Sequence, residues 1–90
     1  SYRMAYAASG LTRVGGDSNG SLWMYRSADA IATVRASGYF NNAANMLGVR
    51  DLVIVQDTNV PTTSLCSVLS NTGSVVDISD GTAVSETDTD

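Results

Sequence analysis

The chain has 90 residues, with nine acidic side chains, five arginines, no lysine and no histidine, and its net charge of −4 argues against nucleic-acid binding, which needs a basic face to displace counterions from phosphates. Cys66 is the only cysteine, so no internal disulfide can form, and a zinc site would rest on carboxylates where zinc prefers nitrogen and sulfur. At 9.4 kDa the chain buries only about 63% of its unfolded surface, and of the staples open to small domains (disulfide, metal or partner subunit) the partner is the one left.

Ser1 to Gly10 places Tyr2, Met4 and Tyr6 at alternate positions, the spacing of an extended arm with one apolar face. Such an arm is expected to lie on its own domain or on a neighbour. LTRV at 11–14 reads as a short strand ended by the turn formers GGDSNG, and LWMYR at 22–26 as a stronger strand with aromatic content. Ser27 then stands as an N-cap with Asp29 in the first turn, opening an alanine-rich helix over about 28–37 that Gly38 closes. Alanines bring helix propensity but little volume. Tyr39 and Phe40 are expected to fill the space beside that helix, or Tyr39 to face a partner.

A second short helix is expected over about 41–47, with Asn41 as its cap, Met46 and Leu47 inward and Gly48 as its stop. The unbroken run Leu52, Val53, Ile54, Val55 predicts a strand covered on both faces, by the helical pair on one side and by sheet or a neighbouring subunit on the other. SLCSVLS and SVVDIS, joined by Asn71-Thr72-Gly73, predict a hairpin. The expected fold is α+β and β-dominated: a small antiparallel sheet or barrel-like sandwich with one or two short helices. Its parts are an extended arm at 1–10, a single compact domain at 11–82 and a flexible acidic tail at 83–90, ending in SETDTD.

The chemistry of the sequence is sparse. Asp17-Ser18-Asn19-Gly20 resembles the start of a calcium loop but lacks the third oxygen ligand and the later glutamate. Asp51 and Asp57 bracket one strand and would lie roughly 20 Å apart, too far for a carboxylate pair working on one bond. Serines and threonines have neither histidine nor lysine to activate them. Cys66, in an alternating run, reads as a small buried hydrophobe. No enzyme activity, no metal and no cofactor is expected. No apolar run approaches the ~20 residues that span a bilayer, and SYRMAYAASG holds no continuous apolar segment like that of a signal peptide, so no membrane partner and synthesis in the cytoplasm are the expectations.

The segment LWMYRSADAIATVRASGYFNNAANMLGVRDLVIVQDT, followed by PTTS and SNTGSVV, resembles a recurrent module of small structural proteins in tailed bacteriophages. The matching residues are Trp23, Tyr25, Ser27, Asp29, Val34, Gly38, Tyr39, Phe40 and Asn41, and the likeness runs from about Leu22 to Thr82. It implies a head decoration or cement protein on the capsid surface of the virion, with the major capsid protein as partner and a homotrimer as the working unit. One departure stands out: the family often has Gly-Asp before its hydrophobic strand, where this chain has Arg50-Asp51, which puts the turn geometry there in question. On this reading Tyr2, Arg3, Met4 and Tyr6 reach the capsid or an adjacent subunit, and Trp23 and Tyr25 pack the trimer. The alternative is an adhesion or carbohydrate-binding module of a phage fibre or surface protein, with Trp23, Tyr25 and Tyr39 as exposed stacking platforms.

Overall fold

The computed structural model describes residues 5–90. It is a β-dominated sheet of six strands: β1 (Leu11–Asp17), β2 (Gly20–Ser27), β3 (Leu52–Asp57), β4 (Thr62–Asn71), β5 (Val76–Ile78) and β6 (Thr82–Ala83). The order is β1-β2-β3-β4-β5, with β6 also on β4. Only β2 and β3 pair in parallel. A parallel neighbour requires a crossover, and residues 28–51 supply it, carrying the single helix α1 (Ile31–Val34) and a 3₁₀ turn at Asn41–Ala43. A further 3₁₀ turn, Ala8–Gly10, leads into β1.

Register sorts the side chains into two faces, because neighbours along a strand point to opposite sides. Arg13, Trp23, Val53 and Cys66 share one row, and Leu11, Tyr25, Val55 and Ser64 the next. This is the covered face. Trp23, Tyr25, Val53, Val55, Cys66 and Val68 are buried there against Val34, Phe40, Ala43 and Leu47 from the crossover and Val76 and Ile78 from β5. The alternate rows, Leu22 with Leu52 and Ser67, then Thr12 with Met24, Ile54, Leu65 and Thr82, form the opposite face.

Within the chain β3 is covered on one face: Val53 and Val55 are buried, while Leu52 is 43% exposed and Ile54 half-buried. Of the two covers expected for the apolar run, the crossover supplies one, no second sheet among the described residues supplies the other, and a neighbouring subunit is the cover left for it. Two expectations need correction. Gly15 and Gly16 are not the turn. They lie inside β1, where the register slips between Arg13 and Gly15, and the reversal is made by Ser18 and Asn19 between the paired Asp17 and Gly20, with the Asp17 carboxylate accepting the Asn19 amide at 2.8 Å.

The helices, second, are shorter than 28–37 and 41–47. Of the first only Ile31–Val34 is helical, its N-cap position is Ala30 with no side-chain cap, and Ser27 Oγ instead accepts the Asp29 amide at 2.9 Å. Ala28, Ala30, Ala32 and Ala36 are exposed and Val34 is the one buried residue of α1, so too little apolar surface holds a longer helix, and short helices are marginal without packing. Asn41 does not cap the second element, which is a 3₁₀ turn; there Leu47 points inward and Met46 is 46% exposed. At the C-terminus, Thr82–Ala83 pairs with β4 and the Val84 amide donates to Thr63 O at 2.8 Å. Residues 85–90 beyond it are exposed and without regular structure.

Candidate functional site

The residues that carry the phage-module resemblance come together on the covered face, where each has an internal task. Trp23 points its indole N–H at Asp51 Oδ2, 2.9 Å away; the same oxygen accepts the Gly48 amide at 2.9 Å, and Oδ1 accepts the Ser21 amide at 3.1 Å. Asp51 is 6% exposed. Burial alone would raise its pKa, but the bonds from Trp23, Gly48 and Ser21, with the charge of Arg13, outweigh burial and hold it below the usual carboxylate value. The carboxylate thereby ties β2 to the turn that leads into β3. In that turn Arg50 has φ +78°, a left-handed conformation glycine adopts without strain. The departure from Gly-Asp thus leaves the turn in place, with a strained arginine at its corner.

A second network joins four aromatic rings. The Ala7 amide donates to Tyr25 Oη at 3.1 Å, Tyr25 and Tyr39 hydroxyls meet at 2.7 Å, and Tyr39 donates to Asp29 Oδ2 at 2.7 Å. Tyr6 stacks on Tyr25 with centroids 5.7 Å apart and meets Phe40 edge-on at 5.5 Å, geometry that adds to plain area burial. Burial first, then the Tyr25 hydroxyl and the Asp29 carboxylate, push the Tyr39 phenol far above the ordinary tyrosine value, against a smaller lowering effect from Ser27. Gly38 and Asn41 behave as a substitute strand beside β5: the Gly38 amide donates to Val76 O at 2.9 Å and Asn41 Oδ1 accepts the Val76 amide at 3.0 Å. Asn71 Nδ2 donates to Ala44 O and Leu47 O, fastening the crossover to the hairpin.

These placements decide among the candidate residues. Tyr2, Arg3 and Met4 lie outside the described residues. Tyr6 belongs to the protein's own aromatic cluster, so removal of residues 1–8 would strip a packing partner from Tyr25 and Phe40 as well as an arm. Trp23 is 5% exposed and Tyr25 fully buried. Both rings lie inside the chain rather than on its surface. Tyr39 is half-buried with its hydroxyl engaged on both sides.

No acid–base or metal constellation forms among the described residues. Three or more metal-capable side chains gather nowhere there. Asp51 and Asp57 stand at opposite ends of β3, and Asp57 Oδ1 is taken by the Asn59 and Val60 amides. The depression beside Asp17 includes Asp51, whose oxygens already hold three donors. Burial pushes the Cys66 thiol up, with Arg35 and Asp80 acting in opposite directions on it, so it stays a thiol at neutral pH.

What remains is the open face of the sheet. Leu22, Met24, Leu52, Ile54 and Leu65 form its centre, with Leu52 and Leu65 43% and 38% exposed. Thr12, Thr63, Ser67, Gln56 and Arg26 surround them, and Arg26 Nε donates to Gln56 Oε1 at 2.7 Å. The sequence held a signal for this surface that motif reading passed over: in LWMYR and LVIV both parities of the strand are apolar, so a sheet covered on one side must leave the other parity open. Val14, at the bulge in β1, adds a 55% exposed side chain beside Thr12 and Met24. Comparisons with protein-family models, with curated proteins and with solved structures find no match.

Proposed function

We propose that this chain is a virion structural protein of a tailed bacteriophage, a decoration or cement protein that sits as a homotrimer on the outside of an assembled head, binds the major capsid protein and stabilises the shell. The observation that carries the reading is the open apolar face. A sheet with Leu22, Met24 and Ile54 half-buried and Leu52 and Leu65 exposed on one side leaves neighbouring apolar side chains in contact with water, and contiguous patches of this kind mark interaction sites. The resemblance of the covered-face residues to phage structural modules supplies the setting. Multivalent attachment supplies the energetics, since copies joined to each other convert weak single contacts with a lattice into lasting ones.

Quantitative protein analysis of purified particles tests this. The chain is expected at a fixed ratio to the major capsid protein, removable by a low-salt or chelator wash that leaves a shell with lower thermal stability. Re-addition of the purified chain restores the stability. Particles that lack the chain, or shells equally stable with and without it, refute the proposal.

A further inference from the structure

We propose that Asn19-Gly20, at the tip of the β1–β2 reversal, is a self-modification site at which the asparagine is converted to aspartate and isoaspartate. The Gly20 backbone nitrogen, once deprotonated, attacks Asn19 Cγ. The bond from Cγ to the side-chain nitrogen breaks, and that nitrogen leaves as ammonia with the proton given up by Gly20. Water then adds across either carbon–nitrogen bond of the resulting succinimide ring. Nothing is oxidised or reduced, and water is the only co-reactant.

The sequence singles out one asparagine of six. Only Asn19 precedes a glycine, which leaves the attacking nitrogen uncrowded and the backbone free to reach the ring-closing conformation. Asn42, Asn45 and Asn59 precede Ala43, Met46 and Val60, whose side chains stand beside that nitrogen. Asn41 and Asn71 are also held in place: Asn41 Oδ1 accepts the Val76 amide, and the Asn71 side chain bonds Gly73, Ala44 and Leu47.

The fold leaves the same asparagine open. Residues 17–20 are all exposed. Asn19 is held through its backbone N–H, by Asp17 Oδ1 at 2.8 Å, while its side-chain amide makes no hydrogen bond among the described residues. A Cβ built on Gly20 would meet only Asp51 Oδ1, at 3.9 Å. The pair Asp17 and Gly20 is the last of the ladder between β1, an edge strand, and β2, and such ends open at the lowest free energies of a fold. Asp80-Gly81 has the same spacing without the same chemistry. Its charged carboxylate is a poor electrophile and faces Arg35 at 3.7 Å, and a Cβ at Gly81 would lie 2.6 Å from Leu65 O, so the backbone there is packed.

Conversion changes both charge and chain path. Either product adds one carboxylate to a chain of net charge −4, two residues from Asp17. Isoaspartate also routes the main chain through Cβ and lengthens the two-residue reversal by a methylene. The pairs Asp17 with Gly20 and Gly16 with Ser21 then lose their register. The Ser21 amide is one of the three donors to Asp51, so a loosened tip weakens the carboxylate that ties β2 to β3. The reaction needs only this chain and water, and is therefore independent of what the chain binds.

The test is the intact mass of the full chain held in mildly alkaline buffer at body temperature, with the free peptide GDSNGS, residues 16–21, beside it. The chain is expected to gain one mass unit and one negative charge, with isoaspartate and aspartate mapped to position 19 and a lower melting temperature for the isoaspartyl form. Asn19→Ser, which has no amide to lose, and Asn19→Gln, which would have to close a larger ring, are expected to keep their mass over the same time. Trp23 emission shows that each variant is folded, and either one alone serves the comparison. A folded chain that stays unchanged while the free peptide converts overturns the proposal. So does conversion of Asn42, Asn45 or Asn59 as fast as Asn19, or a mass gain that persists in Asn19→Ser.

Discussion

Asp51→Asn isolates what one buried carboxylate does for this fold. Three donors converge on Asp51: the Ser21 amide at 3.1 Å, the Trp23 indole at 2.9 Å and the Gly48 amide at 2.9 Å. An asparagine of the same shape has one acceptor oxygen. Set toward Trp23 and Gly48 it keeps two bonds but turns its own N–H₂ on the Ser21 amide, leaving a donor facing a donor at a site 6% exposed. That orphan costs about 1–3 kcal/mol, and two charge-assisted bonds reduced to neutral ones lose about 1 kcal/mol each, so a loss of about 3–5 kcal/mol is expected at pH 7. At about 4–8 °C per kcal/mol for a domain this small, the melting midpoint falls by at least ~12 °C. Trp23 is the only tryptophan, so its emission follows unfolding at the site itself. Because the folded pKa of Asp51 is depressed below its unfolded value, the stabilisation is present above about pH 4 and is lost as pH falls through the folded pKa. The wild type should lose stability across that acid range and the variant should lose less. A variant within about 1 kcal/mol of wild type at pH 7, with the same acid dependence, refutes this account of the site.

Two further substitutions test the covered face. Arg50→Gly relieves a left-handed corner with φ +78° while keeping the backbone bond from residue 50 to Val68 O at 2.8 Å; relief of about 1–2 kcal/mol against a glycine entropy cost of about 0.5–1 kcal/mol leaves a gain of up to about 1.5 kcal/mol in denaturant titration, and a less stable glycine variant contradicts it. Tyr39→Phe removes the donor to Asp29 and the acceptor for Tyr25; a loss of about 1–3 kcal/mol is expected, and a variant as stable as wild type shows that the relay is dispensable.

Alternation and turn chemistry made the β4–β5 hairpin legible from sequence alone, because a half-buried strand writes its burial at a period of two, whereas β2 and β3 were legible from their aromatic and apolar runs and the short β6 (Thr82–Ala83) carried no signal of its own. The crossover was not legible. SADAIATVRASG has helical propensity throughout, yet only Val34 of α1 is buried, and the rest of the crossover is held by Phe40, Ala43 and Leu47 in the core and by side-chain bonds to distant backbone, Asn41 to Val76 and Asn71 to Ala44 and Leu47. Such bonds connect residues 24–35 positions apart and have no local period. Asn41 reads as a cap in the sequence because caps and long-range clasps use the same side-chain amide. The same limit hid the role of Asp51, whose partners Ser21 and Trp23 are on another strand.

The two faces of the sheet are constrained by different physics, and the difference bears on where function resides. On the covered face each aromatic or polar residue is matched to a particular atom: Trp23 to Asp51, Tyr39 to Asp29, Asn41 to Val76. A chain that keeps those pairs keeps the fold, so the shared motif speaks of architecture rather than of attachment. At the apolar centre of the open face no such matching exists, the polar bonds there joining only Arg26, Gln56 and Thr63 at its end. Leu22, Leu52, Ile54 and Leu65 need only to be strand-compatible for the monomer to fold, and threonine meets that requirement while favouring solubility. Surface substitutions of that kind change stability by only about 0.5 kcal/mol in either direction. Leucine and isoleucine at these positions therefore bring the monomer little, and in water they favour association; their reason lies in the surface that covers them.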